Sequence, residues 1–280
     1  MQHRGRAALQ RRVTRPSARA SAPNPRCYNP RMKRIFLLLI PTLLAAQALA
    51  PEVEITAEPH HHLVLENKSV RVFNVDVAPH TETLMHWHRH DYFAVNLGAA
   101  EVVNAIKDKP PITVKLQDAQ TTFSPATFAH IARNQTDQPF RNVTIEILED
   151  ESLRHAPSPW AADKASNKNP GNNNNDDRAL ILFPGGTQQI LFVKDAIRVS
   201  EFELQPGASI PVTHPNGPLL LVADSDIEVR TRIRHASAST ALSSRVALKP
   251  GDSNWYPANH SPTATNPGAN PAKFVTLEFP

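Results

Sequence analysis

Apolar and polar residues alternate along most of the chain beyond residue 50, and a period of two predicts strands. "SVRVFNVDVAP" (69–79) alternates, and so does "FRNVTIEILE" (140–149). Turn signals such as Asp108-Lys109-Pro110-Pro111 and Gln205-Pro206-Gly207 separate the stretches. No long stripe of period 3.6 follows residue 50. Short strands at close spacing predict an all-β protein, a sandwich or barrel. The texture changes after residue 149. "APSPWAADKASNKNPGNNNNDD" (156–177) is rich in Asn, Pro and charge, so 151–179 is expected to be a disordered Asn/Pro-rich linker.

The two sides of that linker repeat each other. Val70-Arg71-Val72 answers Ile197-Arg198-Val199, and Pro79 answers Pro206. Further on, Asn134 answers Asn266, Pro139 answers Pro271, and Val143-Thr144-Ile145-Glu146 answers Val275-Thr276-Leu277-Glu278. The ordered spacing predicts two copies of one fold, 51–150 and 180–280. Glu146 and Glu278 share a position in both copies, which favours a role in the fold.

The N-terminus changes the picture of charge. "MKRIFLLLIPTLLAAQALA" (32–50) has a short basic region, an apolar stretch of about ten residues and A-x-A patterns at its end. That is the pattern of a secretory signal peptide, and it predicts a periplasmic or secreted protein with no stable membrane span after cleavage. The Arg-rich residues 1–31 precede it, so translation starts at Met1 or at Met32, and 1–50 is set apart from the fold. Residues 1–50 hold ten of the 30 Lys and Arg and none of the 26 Asp and Glu, leaving the body with a net charge of −6. The basic character belongs to the leader, which argues against a nucleic-acid partner. The single cysteine, Cys27, also lies there, so the body has neither a disulfide nor a thiolate nucleophile.

Candidate chemistry centres on "LMHWHRHDYFAVNLG" (84–98). On a strand, side chains two apart share a face, so His86 and His88 suit two ligands of one metal. A third must come from another strand, and His130 in "FSPATFAHIARN" (123–134) is the candidate. The alternative is a packed, hydrogen-bonded histidine cluster. Neutral imidazoles suit Fe(II), Cu, Ni or Zn better than Mg or Ca. His90 and Tyr92 share the parity of His86 and are candidates for a fourth contact, for proton handling, or for a plain pocket wall. His60, His61 and His62 in "PHHHLVLEN" (59–67) are read as surface histidines or adventitious metal binders rather than pocket residues. There is no Ser-His-Asp signal.

These residues resemble the cupin superfamily, and the repeat resembles a bicupin. His80 stands where the first cupin motif opens on glycine, His86-Trp87-His88 follows, and Gly98 closes it. Pro125, His130 and Asn134 follow the second motif. The resemblance implies two tandem double-stranded β-helix (jelly-roll) barrels. It also implies a divalent metal ion (Fe, Zn, Ni, Cu or Mn) on His86, His88 and His130, a small-molecule ligand, and a homodimer. The implied activity is oxygenase-like or isomerase-like, with Tyr92 and His90 as catalytic candidates; a ligand-binding or sensor barrel without turnover is the alternative. The motif glutamate after His88 is missing: Tyr92 and Phe93 occupy its place, and Asp91 is one residue early. Two motif glycines have become Asp118 and Thr127. In the second copy, His214 stands near the first-ligand position, but Pro262 replaces the counterpart of His130, with His260 two residues early. That barrel is expected to be structural or an apolar small-ligand pocket.

Overall fold

The alternating stretches are strands. The computed structural model describes residues 51–148, 180–212, 217–233, 242–258 and 260–280. The leader, the linker 151–179 and His214 lie outside the described residues. Residues 51–148 form two five-stranded sheets. The first has the order β1 (Val53–Glu54), β4 (His86–His88), β9 (Phe128–Asn134), β6 (Ala100–Ile106), β7 (Ile112–Leu116). The second has the order β2 (His61–Glu66), β3 (Val70–Val77), β10 (Phe140–Ile147), β5 (Tyr92–Asn96), β8 (Thr121–Ser124). Residues 180–280 give a six-stranded sheet, β11 (Leu180–Phe183), β12 (Gly186–Lys194), β13 (Ile197–Leu204), β20 (Ala272–Glu278), β15 (Leu219–Ala223), β18 (Ser253–Tyr256). A four-stranded sheet completes that half: β14 (Ser209–Pro211), β19 (Ser261–Thr265), β16 (Ile227–Ile233), β17 (Leu242–Leu248). A short 3-10 turn, Ile55–Ala57, precedes β2. These are tandem jelly-roll barrels.

The period of two sorts each central strand between two cores. Val70 and Val72 of β3, Phe93 and Val95 of β5, and Val143 and Ile145 of β10 face away from the first barrel. They pack on Ile197, Val199, Leu220, Val222, Val275 and Leu277, the outward residues of the second. The barrels therefore share one apolar layer, in which each fully buried Val, Leu or Ile contributes about 1.5–3 kcal/mol. Residues of opposite parity face the barrel interiors: Phe73, Val75 and Val77 in the first, Phe202, Leu204, Leu219 and Leu221 in the second. A strand buried on both faces reads as a continuous apolar run, and Leu219-Leu220-Leu221-Val222-Ala223 is one.

The repeated polar residues do matched work. Glu146 pairs in register with Arg71, and Glu278 with Arg198. Arg71 donates to Glu146 at 3.2 Å, and Arg198 donates to both oxygens of Glu278 at 2.8 Å. The Asn134 amide donates to the carbonyls of Val77 and Gln138; the Asn266 amide donates to those of Leu204 and Asn270. Each asparagine ties its loop to the end of a neighbouring strand.

The lost motif glycines leave their mark on the backbone. His80 (φ 56) and Thr127 (φ 73) keep the left-handed conformation that glycine favours. Thr127 is β-branched and exposed, so its side chain earns no packing there. Its N–H donates to the His88 carbonyl at 2.8 Å, which fixes the turn between β8 and β9 against β4. Thr127→Gly is expected to stabilise the protein by about 1 kcal/mol. Thermal melting checks this; an unchanged or lower Tm contradicts it.

One half-buried acid, Asp224, stands beside Asp118 of the other half. Burial, with the nearby charge of Asp118, pushes the Asp224 carboxyl up to about 7. The folded state thus holds a proton that the unfolded chain, with an aspartate near about 4, has released. Stability contributed by this group is full below about pH 4 and is lost as pH rises toward 7. Asp224→Asn should remove that loss. The variant's Tm advantage should grow from pH 4 to pH 7 and then level, at on the order of 2 kcal/mol. A pH-independent difference contradicts it.

Candidate metal centre

Strand alternation carries His86 and His88 inward, 0% and 1% exposed, while Trp87 between them faces out. There Trp87 donates to Glu52 and lies under the Arg89 guanidinium. β9 runs antiparallel beside β4 and sets His130 directly across from His86. The three rings meet: His88 Nε2 lies 3.2 Å from His86 Nε2 and 3.2 Å from His130 Nε2.

The other ring nitrogens say which atoms carry lone pairs. His86 Nδ1 lies 2.9 Å from the Leu84 carbonyl, and His130 Nδ1 lies 2.8 Å from the Asn104 side-chain oxygen. Each acceptor holds the ring proton on Nδ1, so both Nε2 atoms present lone pairs to His88. A proton on His88 Nε2 can serve one of them and not both. Burial and the neighbouring histidines push all three rings below the ordinary imidazole range, His86 to about 4 and His130 to about 3. The rings are therefore neutral at pH 7. His88 Nδ1 is buried without a hydrogen-bond partner. That ring is held instead by stacking, on Tyr92 at 4.2 Å and on Phe128 at 5.3 Å between centroids.

A fourth histidine joins them, which corrects the reading of 60–62 as surface residues. The His61 side chain is 5% exposed, and its ring nitrogen lies within 4.8 Å of those of His86 and His88. It stands on β2 opposite Val75, one of the inward residues of β3. Its neighbour His62 is exposed. His61 Nδ1 meets Glu58 Oε2 at 2.6 Å, and His60 Nδ1 meets Oε1 at 2.9 Å. Burial would raise the Glu58 carboxyl, but the hydrogen bonds from His61 and His60 outweigh it and hold it at about 2.

The cavity beside the rings has a volume of about 260 Å³. Val75, Ala94, Val102, Val114, Leu116, Ala132 and Phe140 give it apolar walls, and Thr122, Ser124, Asn142 and Thr144 a polar side. Tyr92 lines it. Burial pushes the Tyr92 phenol above its ordinary value, although Ser124 bonds to it, so the hydroxyl keeps its proton. His90 does not line the cavity. β4 ends at His88, the chain crosses to the other sheet through 89–91, and parity does not carry through that corner. Asp91 turns away as its place suggested: its carboxylate accepts the Ala126 N–H at 2.7 Å.

The second barrel has no matching site among the described residues. Pro262 occupies the counterpart of His130 in β19, and the half-buried His260 ring meets the Ala258 carbonyl. Phe202 and Phe274 face each other in register and stack at 4.7 Å within that barrel's core. In the first barrel the matching pair is Val75 and Asn142. Two small side chains in place of two phenyl rings open the cavity.

No protein-family model matches the chain, and no curated protein does. Solved structures of oxalate decarboxylase from Bacillus subtilis do. The enzyme at pH 4.6 aligns with a TM-score of 0.51 at 15% identity, over 76% of this chain and 68% of that one. A point variant aligns with a TM-score of 0.53 at 14% identity, over 78% and 75%. The fold is that of a bicupin. A third structure of the same enzyme, which has Mn(II) centres, aligns with a TM-score of 0.52 at 15% identity, over 78% and 75%. At such identity the likeness carries the bicupin fold and nothing of the chemistry. Among the described residues no helix is long and apolar enough to cross a membrane.

The donor set can be tested against a metal on distance alone. Two nitrogens about 2.0–2.1 Å from one ion, at tetrahedral or right angles, lie about 2.9–3.4 Å apart. The observed 3.2 Å falls inside that window. On these two pairs, both made by His88, the residues fit a divalent transition metal.

Proposed function

We propose that the protein is an exported metal-dependent cupin that acts on a small uncharged molecule, or its monoanion, in the first barrel. His86, His88 and His130 would hold one divalent ion. The observation that carries this reading is the meeting of three neutral Nε2 atoms, with the two outer rings already committed through Nδ1. Export rests on the leader pattern of residues 32–50.

A bound divalent ion supplies Lewis acidity toward a substrate oxygen, or a site for dioxygen. The chain's own residues do the rest. The apolar walls exclude water and select a substrate with hydrocarbon bulk. Tyr92, stacked on His88, holds a proton at its hydroxyl beside the rings and can donate it to a developing oxyanion. Thr122, Ser124 and Asn142 offer hydrogen bonds that orient polar substituents. Among the described residues no Lys or Arg lines the cavity, which argues against a small dianion such as oxalate, the substrate named for the structural neighbours. A second reading, a binding barrel without turnover, is favoured by one feature: among the described residues no carboxylate lines the cavity to serve as a base.

Oxygen consumption and product analysis with phenols, thiols and β-diketones test the proposal on metal-loaded protein. Turnover of one compound class supports an enzyme. Saturable binding without turnover supports the binding barrel. Binding of none by metal-loaded protein overturns both.

A further inference from the structure

The motif supplies three of the four clustered rings; the fourth comes from β2. We propose that His61 is a further ligand of the same ion, and that Glu58, one hydrogen bond further out, is the residue that positions it. The inference rests on the reading of His86, His88 and His130 as metal ligands.

His61 is buried, and its ring nitrogen lies within 4.8 Å of those of His86 and His88. Its Nδ1 is committed to Glu58 at 2.6 Å, so the lone pair left for an ion is on Nε2. Glu58 is itself locked. It follows the 3-10 turn anchored by buried Ile55, and its N–H donates to the Ile55 carbonyl at 3.2 Å. Its Oε1 accepts the Leu84 N–H at 3.1 Å, and the carbonyl of that same Leu84 receives Nδ1 of His86. One carboxylate and the backbone of one residue, Leu84, therefore set two rings relative to each other. A carboxylate with a side chain 0% exposed, gripped by donors and aimed at an imidazole, also supplies the negative charge that a buried dication and neutral ligands lack.

The inner set is then entirely imidazole, where the resembled motif would bring a carboxylate into contact with the ion. Nitrogen donors alone favour Cu, Ni, Zn and Fe over Mn and Mg. The protein should therefore bind Zn(II) or Ni(II) at least about a hundredfold more tightly than Mn(II).

X-ray absorption on the zinc-loaded wild type, with chelator competition on His61→Ala, Glu58→Gln and the exposed control His62→Ala, tests this. The expected result is four imidazoles in the wild type, three in His61→Ala, and a ten- to hundredfold loss of zinc affinity in that variant. Glu58→Gln should keep four imidazoles with a loss of about tenfold or more, and His62→Ala should match the wild type. Three imidazoles in the wild type, or wild-type affinity in His61→Ala, overturns the proposal and leaves the three-histidine reading standing. A wild type that takes up no zinc, nickel or iron overturns both. The imidazole count in the wild type does not depend on any variant folding.

Discussion

The His86→Ala/His130→Ala variant is expected to be purified with essentially no metal, against about one equivalent in the wild type. Two of the three converging nitrogens vanish, and His88 has no second partner fixing its Nδ1. Apparent affinity should fall at least about a thousandfold, since structural metal binding at such sites is worth on the order of 10 kcal/mol spread over its ligands. The fold should persist, because the apolar layer between the barrels and the second barrel's core contain none of these histidines. Elemental analysis and circular dichroism read both outcomes. A folded variant that retains a full equivalent contradicts the assignment.

The second large effect concerns the cavity. Val75→Phe/Asn142→Phe copies the pair Phe202/Phe274 into the first barrel. The rings should stack across β3 and β10 as their counterparts do at 4.7 Å, and occupy much of the roughly 260 Å³. Any panel compound bound by the wild type should lose at least about a hundredfold in affinity, and xenon uptake, which needs no substrate, should fall away. Metal content should stay near one equivalent, because neither position lies on β4 or β9, the strands that carry His86, His88 and His130. Overpacking costs about 1–3 kcal/mol, and the apolar gain offsets part of it. Unchanged xenon uptake contradicts the view that the small side chains at these two positions open the cavity.

Much of this was legible in the residues. Alternation gave the strands, and the paired motifs gave the repeat, because both depend on local spacing. The convergence of His130 on His86 could be expected from two motifs that a jelly roll brings to neighbouring strands. His61 could not. Three consecutive histidines show no parity of their own, and β2 changes register between Leu63 and Leu65, so alternation within the segment does not say which ring turns in. Only its pairing with β3 decides it. His90 stays off the cavity lining for a related reason: the period of two holds along a strand and fails where the chain turns from one sheet to another at 89–91. The cavity was hidden too, since Val75 and Asn142 mark it only when set beside Phe202 and Phe274.

The central claim is that one divalent ion sits between the Nε2 atoms of His86, His88 and His130. Anomalous diffraction from crystals of the zinc- or iron-loaded protein tests it most directly. The account predicts one strong peak in the first barrel, about 2.0–2.3 Å from each of the three nitrogens. The same rings in mutual hydrogen-bond contact, with no anomalous signal between them under saturating metal, would contradict it.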